Sequence, residues 1–458
     1  MAAAGGGSER HVDRSMLLFY ALPAVALAMP TIPVYVYLPT FYAETLGLGL
    51  AATGLVLLAA RILDVVTDPL IGIASDRLRL PGGRRKPWIV IGAVLAAVAL
   101  VQMFEPPETV TVGYLAVWAA ALYLGWTLVA IPYTAWGAQL TGDYHGRARI
   151  AGAREAAMIL GIVVAAGVPA AALALGAAEG EELAAVAWLA IAIGGPALAL
   201  LLWRVPEPPR EAAPVAATPR LRALASMYHN KPFVRLVSAW FINGLANGLP
   251  AVLFPLYLDH VLQASPLARN LLILAYFVAG IAAIPMWLGL SRRFGKHRTW
   301  CGAMVMACAA FVWVPFLAAG DIAAFSVVCI VTGMALGADL ALPPAMQADV
   351  VDLDTLRTGR ERAGLFFAIW SMATKLALGA AVGLAFPALQ ALGFRAGVDN
   401  PESALLALAL IYALLPTMLK LAAVAVVWRH PITARRHGII RRRLDGRRER
   451  RGAVGQSH

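Results

Sequence analysis

Apolar residues run through this chain in long blocks, not in the one-sided stripes of a water-facing helix. A helix needs about 20 mostly apolar residues to cross the hydrocarbon core of a bilayer. Twelve stretches fit that length: residues 15–42, 48–76, 87–104, 110–140, 150–176, 183–204, 232–260, 267–291, 299–319, 321–351, 363–393 and 402–429. No alternating ten-residue pattern of barrel strands is seen. The pattern therefore predicts an all-α integral membrane protein with twelve transmembrane helices. The first stretch holds Pro23, Pro30, Pro33 and Pro39. Each proline removes a backbone donor and predicts a kink, which survives in a membrane where protein or a cavity covers the broken backbone.

Charge then sets the orientation. Lys and Arg gather in the even-numbered loops and at both ends, as in Arg77, Arg79, Arg84, Arg85 and Lys86, and again in Arg292, Arg293, Lys296 and Arg298. The odd-numbered loops hold only Arg269 and Arg395, and they collect acids such as Glu44, Glu105, Glu181 and Asp399. The positive-inside rule places both termini in the cytoplasm. Composition agrees: 60% of the residues are apolar and 14% are charged, against about a quarter charged in soluble proteins. That excludes a soluble enzyme. The net charge of +12 reads as membrane topology and lipid anchoring, not nucleic-acid binding. Cys301, Cys308 and Cys329 lack the spacing of a disulfide framework, an iron–sulfur site or a zinc site. The polar start, MAAAGGGSERHVDR, leads into a stretch with no cleavage signal, so the first helix is read as retained.

A Pro- and Ala-rich segment, residues 205–231, divides the spans into two sets of six. The resulting plan is a cytoplasmic N-terminus (1–14), a six-helix bundle (15–204), a cytoplasmic linker (205–231), a second bundle (232–429) and a basic tail (430–458). A weak repeat supports pseudo-symmetry: SDRLRLPGGRRKPW from Ser75 and SRRFGKHRTW from Ser291 both follow the second helix of their half. Secondary transporters are often built from such paired halves.

Ionisable residues inside a membrane are costly and mark function. Here they are Arg61, Asp64 and Asp68 on helix two, Asp339 on helix ten and Lys375 on helix eleven. Lys420, nearer the end of helix twelve, is read as a snorkelling residue. Residues 61, 64 and 68 share one helix face. Two carboxylates there repel unless a cation, a proton or a basic partner neutralises them. Arg61 offsets one charge and Lys375 is a candidate for the other. A cation site and a buried ion network are both compatible with this pattern. Thr67 and Thr127 are candidate oxygen ligands; each also fits a hydroxyl bonded to its own helix. Tyr35, Tyr37, Trp126, Tyr133 and Trp370 are candidates to line a substrate cavity, or packing and interfacial residues. Asp339 is a candidate substrate anchor or protonation site, with a protonated acid bonded to a helix backbone as the plainer alternative.

Two motifs carry a family resemblance. RILDVVTDPLIGIASDR with GGRRKPWIVIGA, and QADVVDLDTLRTGRERAGLFFAIWSMATKLALG from Gln347, resemble the glycoside–pentoside–hexuronide:cation symporters, the melibiose-permease type within the major facilitator superfamily. VYVYLPTFYAETLGL at Val34 is a weaker match. The resemblance implies the major facilitator fold, two pseudo-symmetric six-helix bundles. It implies cation binding at Asp64 and Asp68 with a helix-four hydroxyl, Thr127, and a lysine nearby, Lys375. Asp76, Arg77, Arg84, Arg85 and Lys86 resemble the superfamily's cytoplasmic gate motif. Sugar-binding members carry acids on helices one and four, where this chain has Ala28 and Ala130. Thr67 stands where sodium-coupled members often have an amide. Related lysolipid importers likewise lack the sugar acids.

The expected function is secondary active transport, a sodium- or proton-coupled symport of a sugar, glycoside or related small solute. Import of a lysolipid or other amphipathic solute, and proton-coupled export, are the alternatives. No cofactor beyond the coupling ion is expected. The partners expected are a small-molecule substrate and the bilayer, without nucleic acid, for a monomer in a bacterial inner membrane.

Overall fold

The computed structural model describes residues 13–78, 81–137, 139–141, 144–176, 181–207, 227–228, 230–359, 362–433, 435–440, 442–444 and 446. The expected N-terminal segment, apart from its last two residues, lies outside these, as do most of the linker (208–226) and the end of the tail (447–458).

Among the described residues, twelve helices are long and apolar enough to cross a membrane. They are α1 (Arg14–Thr45), α2 (Leu50–Ser75), α3 (Lys86–Phe104), α4 (Val112–Gly137), α5 (Arg149–Ala174) and α6 (Glu181–Arg204), then α7 (Lys231–Leu262), α8 (Pro266–Phe294), α9 (Lys296–Phe316), α10 (Ile322–Thr358), α11 (Ala363–Ala391) and α12 (Glu402–Val427). Leu63, Leu70, Val94 and Val117 are exposed on their helices, as befits side chains facing lipid.

Proline acts in α1 by widening the helix. Two π-turns lie beside its prolines: Pro33–Tyr37 opens on Pro33, and Phe41–Thr45 follows Pro39. Each wide turn accommodates the carbonyl that a proline ring cannot bond. The expected tenth helix ended at 351, where the apolar run stops; α10 continues to Thr358. Its polar last turns are held by side-chain ion pairs, Asp349 with Lys296 at 2.7 Å and Asp354 with Arg362 at 2.7 Å. Gly359 ends the helix at φ 67°, in the left-handed region.

The chain divides into two compact units. Unit 1 comprises Met1–Ala212 with Ser265–Leu271 and Arg395–Asp399; unit 2 comprises Ala213–Ala264, Leu272–Phe394 and Asn400–His458. Within unit 1, α1 packs on α5 and α6, and α4 packs on α2 and α3. The α3–α4 seam is close because both sides carry glycine. A Cβ on Gly125 would meet the backbone of Ala96 at 2.6 Å, and one on Gly92 the carbonyl of Gly125 at 2.8 Å. Between membrane helices such close approach supplies the dispersion contacts that hydrophobic burial cannot. The core of this unit holds Tyr20, Ile89, Val129, Tyr133, Trp136 and Leu201. Within unit 2, α7 packs on α11 and α12, and α9 on α10 and α12. Its core includes Phe233, Trp300, Phe366 and Val427. Cys301, Cys308 and Cys329 are free thiols, all buried in unit 2.

Candidate functional site

Spacing puts Arg61, Asp64 and Asp68 on one face of α2, and the fold supplies what surrounds them. Arg61 and Asp64 are 4% and 3% exposed. The guanidinium pairs with Asp64, Arg61 Nη1 to Oδ2 at 2.8 Å. Its other nitrogen donates to the Tyr35 hydroxyl of α1. Its carbon sits 3.8 Å from the ring centre of Tyr123 on α4 and 4.9 Å from that of Tyr35. Two electron-rich rings and a carboxylate therefore replace the water that a buried guanidinium loses.

Thr127 completes the group. Its hydroxyl lies 2.8 Å from Asp64 Oδ1 and 3.0 Å from Asp68 Oδ1. A hydroxyl has one hydrogen to donate and lone pairs to accept with. Only one of these contacts can use that hydrogen. The other needs a proton on the second carboxyl, or a cation shared by the oxygens. Thr67, also expected near the cation, donates to the backbone carbonyl of Asp64 at 3.1 Å, the helix self-bond open to any threonine.

The remaining candidates fall in several places. Within unit 1, Tyr37 donates to Asn270 Oδ1 at 2.5 Å. Tyr133 is stacked on Tyr20 with ring centres 4.7 Å apart, and each hydroxyl donates to the other residue's backbone carbonyl. Trp126 is half-buried on α4. In unit 2, Lys375 is half-buried on α11. Trp370 is stacked on Trp240 at 4.5 Å, and the Trp240 indole donates to Thr374 at 2.7 Å.

Asp339, 4% exposed, accepts from two neutral donors: Trp300 Nε1 at 2.5 Å and Asn247 Nδ2 at 2.8 Å. Lys420 corrects the snorkelling expectation. It is 3% exposed and donates to Asn243 Oδ1 at 3.0 Å and Asn247 Oδ1 at 2.6 Å. The physical reason is local: α7 presents two amide oxygens four residues apart, so the ammonium is bonded inside the unit and need not reach for the interface.

The side chains of Asp76 and Arg77 lie outside the described part of the chain. The rest of that loop is anchored by Glu207, whose carboxylate accepts from the backbone N–H of Arg84 at 3.1 Å and of Arg85 at 2.6 Å. Gly83 makes room for it: φ is 138°, and a Cβ there would come 2.4 Å from Glu207 Oε2. Lys86 donates to the Leu202 carbonyl at 2.7 Å. Sequence reasoning missed Glu207, Tyr123, Trp300, Asn243 and Asn247. Only the asparagines left a signal, two amides four apart in an apolar span.

Comparison with known proteins agrees with this architecture. The glucuronide carrier protein homologue of Escherichia coli (strain K12) is 24% identical, over 90% of this chain and 91% of that protein. The mouse (Mus musculus) sodium-dependent lysophosphatidylcholine symporter 1 is 24% identical, over 88% of this chain and 83% of that protein. The crystal structure of a D-xylose–proton symporter superposes with a TM-score of 0.67 at 17% identity, covering 92% of this chain and 98% of that one. It shares the fold: two bundles of six helices in the major facilitator arrangement. The profile described as MFS/sugar transport protein matches residues 19–434. With twelve spans, a charged row in α2 and that match over most of its length, the chain belongs to the MFS/sugar transport protein family, a multi-pass membrane transporter of the major facilitator superfamily.

Proposed function

We propose that this transporter is a cation-coupled symporter working by alternating access, with Asp64, Asp68 and Thr127 as the coupling-ion site. One observation carries the reading: a single hydroxyl, Thr127, is shared by two buried-segment carboxylates, at 2.8 and 3.0 Å, beside one guanidinium. Arg61 pairs with Asp64, and sodium or a proton joins it in balancing the two carboxylates when the site is loaded. In symport, substrate and cation must tighten each other's binding by the same factor. Arg84, Arg85 and Lys86, with Asp76 and Arg77, belong to a cytoplasmic gate. Both termini face the cytoplasm of a bacterial inner membrane, by the distribution of Lys and Arg.

The substrate is a glycoside, a sugar acid or a similarly sized solute, in keeping with the printed name of the E. coli relative. In unit 1 the candidates to meet it are Tyr35, Tyr37, Trp126 and Tyr133; in unit 2 the candidate is Trp370. A lysolipid-like solute is the second reading. It is favoured by Ala28 and Ala130, which leave helices one and four without the acids of sugar-binding members, and by the relative that carries lysophosphatidylcholine.

The test is uptake into proteoliposomes under imposed sodium or proton gradients, screened over glycosides, sugar acids and lysolipids. Wild type should accumulate one class under one gradient. Asp68→Asn should lose accumulation while keeping exchange without a gradient. Undiminished gradient-driven accumulation by Asp68→Asn would overturn the assignment.

A further inference from the structure

Unit 2 holds a second acid and a second base, and they do not touch. Asp339 stands on α10 and Lys420 on α12; the side chain of Asn247, on α7, lies between them and bonds to both. The direction of each bond follows from hydrogen inventory alone. An ammonium only donates, so the oxygen of the Asn247 amide faces Lys420. Its NH2 then faces Asp339 Oδ2 and donates to it. The Trp300 indole also only donates, so Asp339 Oδ1 accepts as well. Asn amide orientation is ordinarily ambiguous; here a donor-only partner fixes it. Both oxygens of Asp339 are engaged as acceptors, which is the wiring of a carboxylate. The triad is an ion pair spoken through an amide.

This wiring has one weak point. A proton added at Asp339 Oδ2 sets two donors, O–H and NH2, against each other. The conflict ends if the Asn247 amide turns over, so that its oxygen accepts from the new O–H. The NH2 group then faces Lys420, and the 2.6 Å bond between Lys420 and Asn247 is lost. Lys420 keeps its bond to Asn243. One proton enters from water, none leaves, and the charge on the triad goes from zero to plus one. The other titratable groups beside it are Tyr276 from α8 and Cys329 on α10, near Asp339, and Cys308 from α9, near Lys420. All three are neutral, so Lys420 is the charge that opposes the added proton.

We propose that Asp339, Asn247 and Lys420 form a proton-binding site, in which a proton taken by Asp339 turns the Asn247 amide and breaks one of the two bonds that hold Lys420 to α7. Of the two expectations for Asp339, anchor and protonation site, the contacts speak against the anchor, since Trp300 and Asn247 engage both oxygens. The proposal goes beyond the α2 site and is independent of it. It ties proton uptake to a contact between α7, α10 and α12, a means by which proton binding in this unit changes helix packing.

Infrared difference spectroscopy of the full chain in liposomes, titrated from about pH 9 to about pH 4 across the usual carboxyl range and its raised values, reads this without a known substrate. The protonated-carboxyl C=O absorbance that grows on acidification should contain a component that Asp339→Asn lacks, seen in the wild-type minus variant difference. It should persist in Asp64→Asn/Asp68→Asn, so failure of the α2 assignment leaves it standing. Lys420→Met removes the opposing charge, so the band should appear about one pH unit higher, a tenfold gain in proton affinity. If Asp339→Asn does not fold, the shift in Lys420→Met, which retains Asp339, decides. No carboxyl component missing from folded Asp339→Asn, or an unmoved midpoint of that component in Lys420→Met, overturns the proposal.

Discussion

Each unit buries an acid and a base, and the two solve the same electrostatic problem differently. In unit 1 the charges meet: Arg61 bonds Asp64 at 2.8 Å and two aromatic rings enclose the guanidinium. In unit 2 they are held apart, and an amide and an indole stand in for the missing direct contact. A direct pair is strong and hard to interrupt, since removing either partner strands a charge. A bridged pair is weaker and can be opened by turning one side chain. The proposed coupling-ion site stands next to the rigid arrangement, and a switch is more readily built from the compliant one.

The largest effect should come from interrupting the direct pair. Arg61→Met leaves Asp64 buried without its guanidinium and should cost about 3–5 kcal/mol, read as thermal unfolding of detergent-purified protein. Adding Asp64→Asn removes the stranded charge and should return much of that loss. Equal melting of the single and double variants would contradict the contrast drawn between the units.

Opening the bridge should cost less. Asn247→Leu removes two interhelical contacts, each worth about 0.6 and at most about 1.7 kcal/mol in membrane bundles. A loss of roughly 1–3 kcal/mol in the same melting assay is expected. A loss as large as that of Arg61→Met would mean that the bridge is as rigid as the direct pair.

Two smaller effects test the ends of the units. Gly83→Ala meets both an unfavourable φ and the Glu207 carboxylate; a loss of at least about 1 kcal/mol is expected, with Glu207→Ala relieving the steric part. In unit 2, His430 lies beyond α12 with its ring buried. Burial first, then the neighbouring His297 and Arg235, push its imidazole down from the usual 6.5 to about 4. The unfolded chain then binds the proton more readily, so stability is full above about pH 6.5 and falls as pH drops toward 4. At pH 5.5 the loss should be about 1 kcal/mol relative to pH 7.5. A His430→Leu variant should melt with a flatter dependence on pH over that range.

The spans were legible because hydrocarbon demands an unbroken apolar run, and such a run leaves few alternatives. The α2 group was legible for a related reason: residues 61, 64 and 68 are near one another along a single helix, so spacing alone assembles them. Thr127 was named, but its position against two carboxylates depends on how α4 packs on α2. The unit 2 network draws on α7, α9, α10 and α12, and no local pattern brings those together. Neutral residues such as Asn247 and Trp300 barely disturb hydropathy, so they pass unnoticed in a span. Lys420 was misread because distance from the end of a helix says nothing about which partners a neighbouring helix offers. Glu207 was passed over because its role is to cap a loop more than a hundred residues earlier in the chain.

The burial of all three cysteines has a practical consequence. Cys301, Cys308 and Cys329 are 0%, 5% and 4% exposed. A water-soluble maleimide should therefore react poorly with the folded wild-type chain. A single cysteine introduced at an exposed loop position would carry a spin label or fluorophore almost without background. The protein comes close to being a ready-made cysteine-silent scaffold, on which a label placed in each unit can report distance changes through the transport cycle while the native residues stay in place.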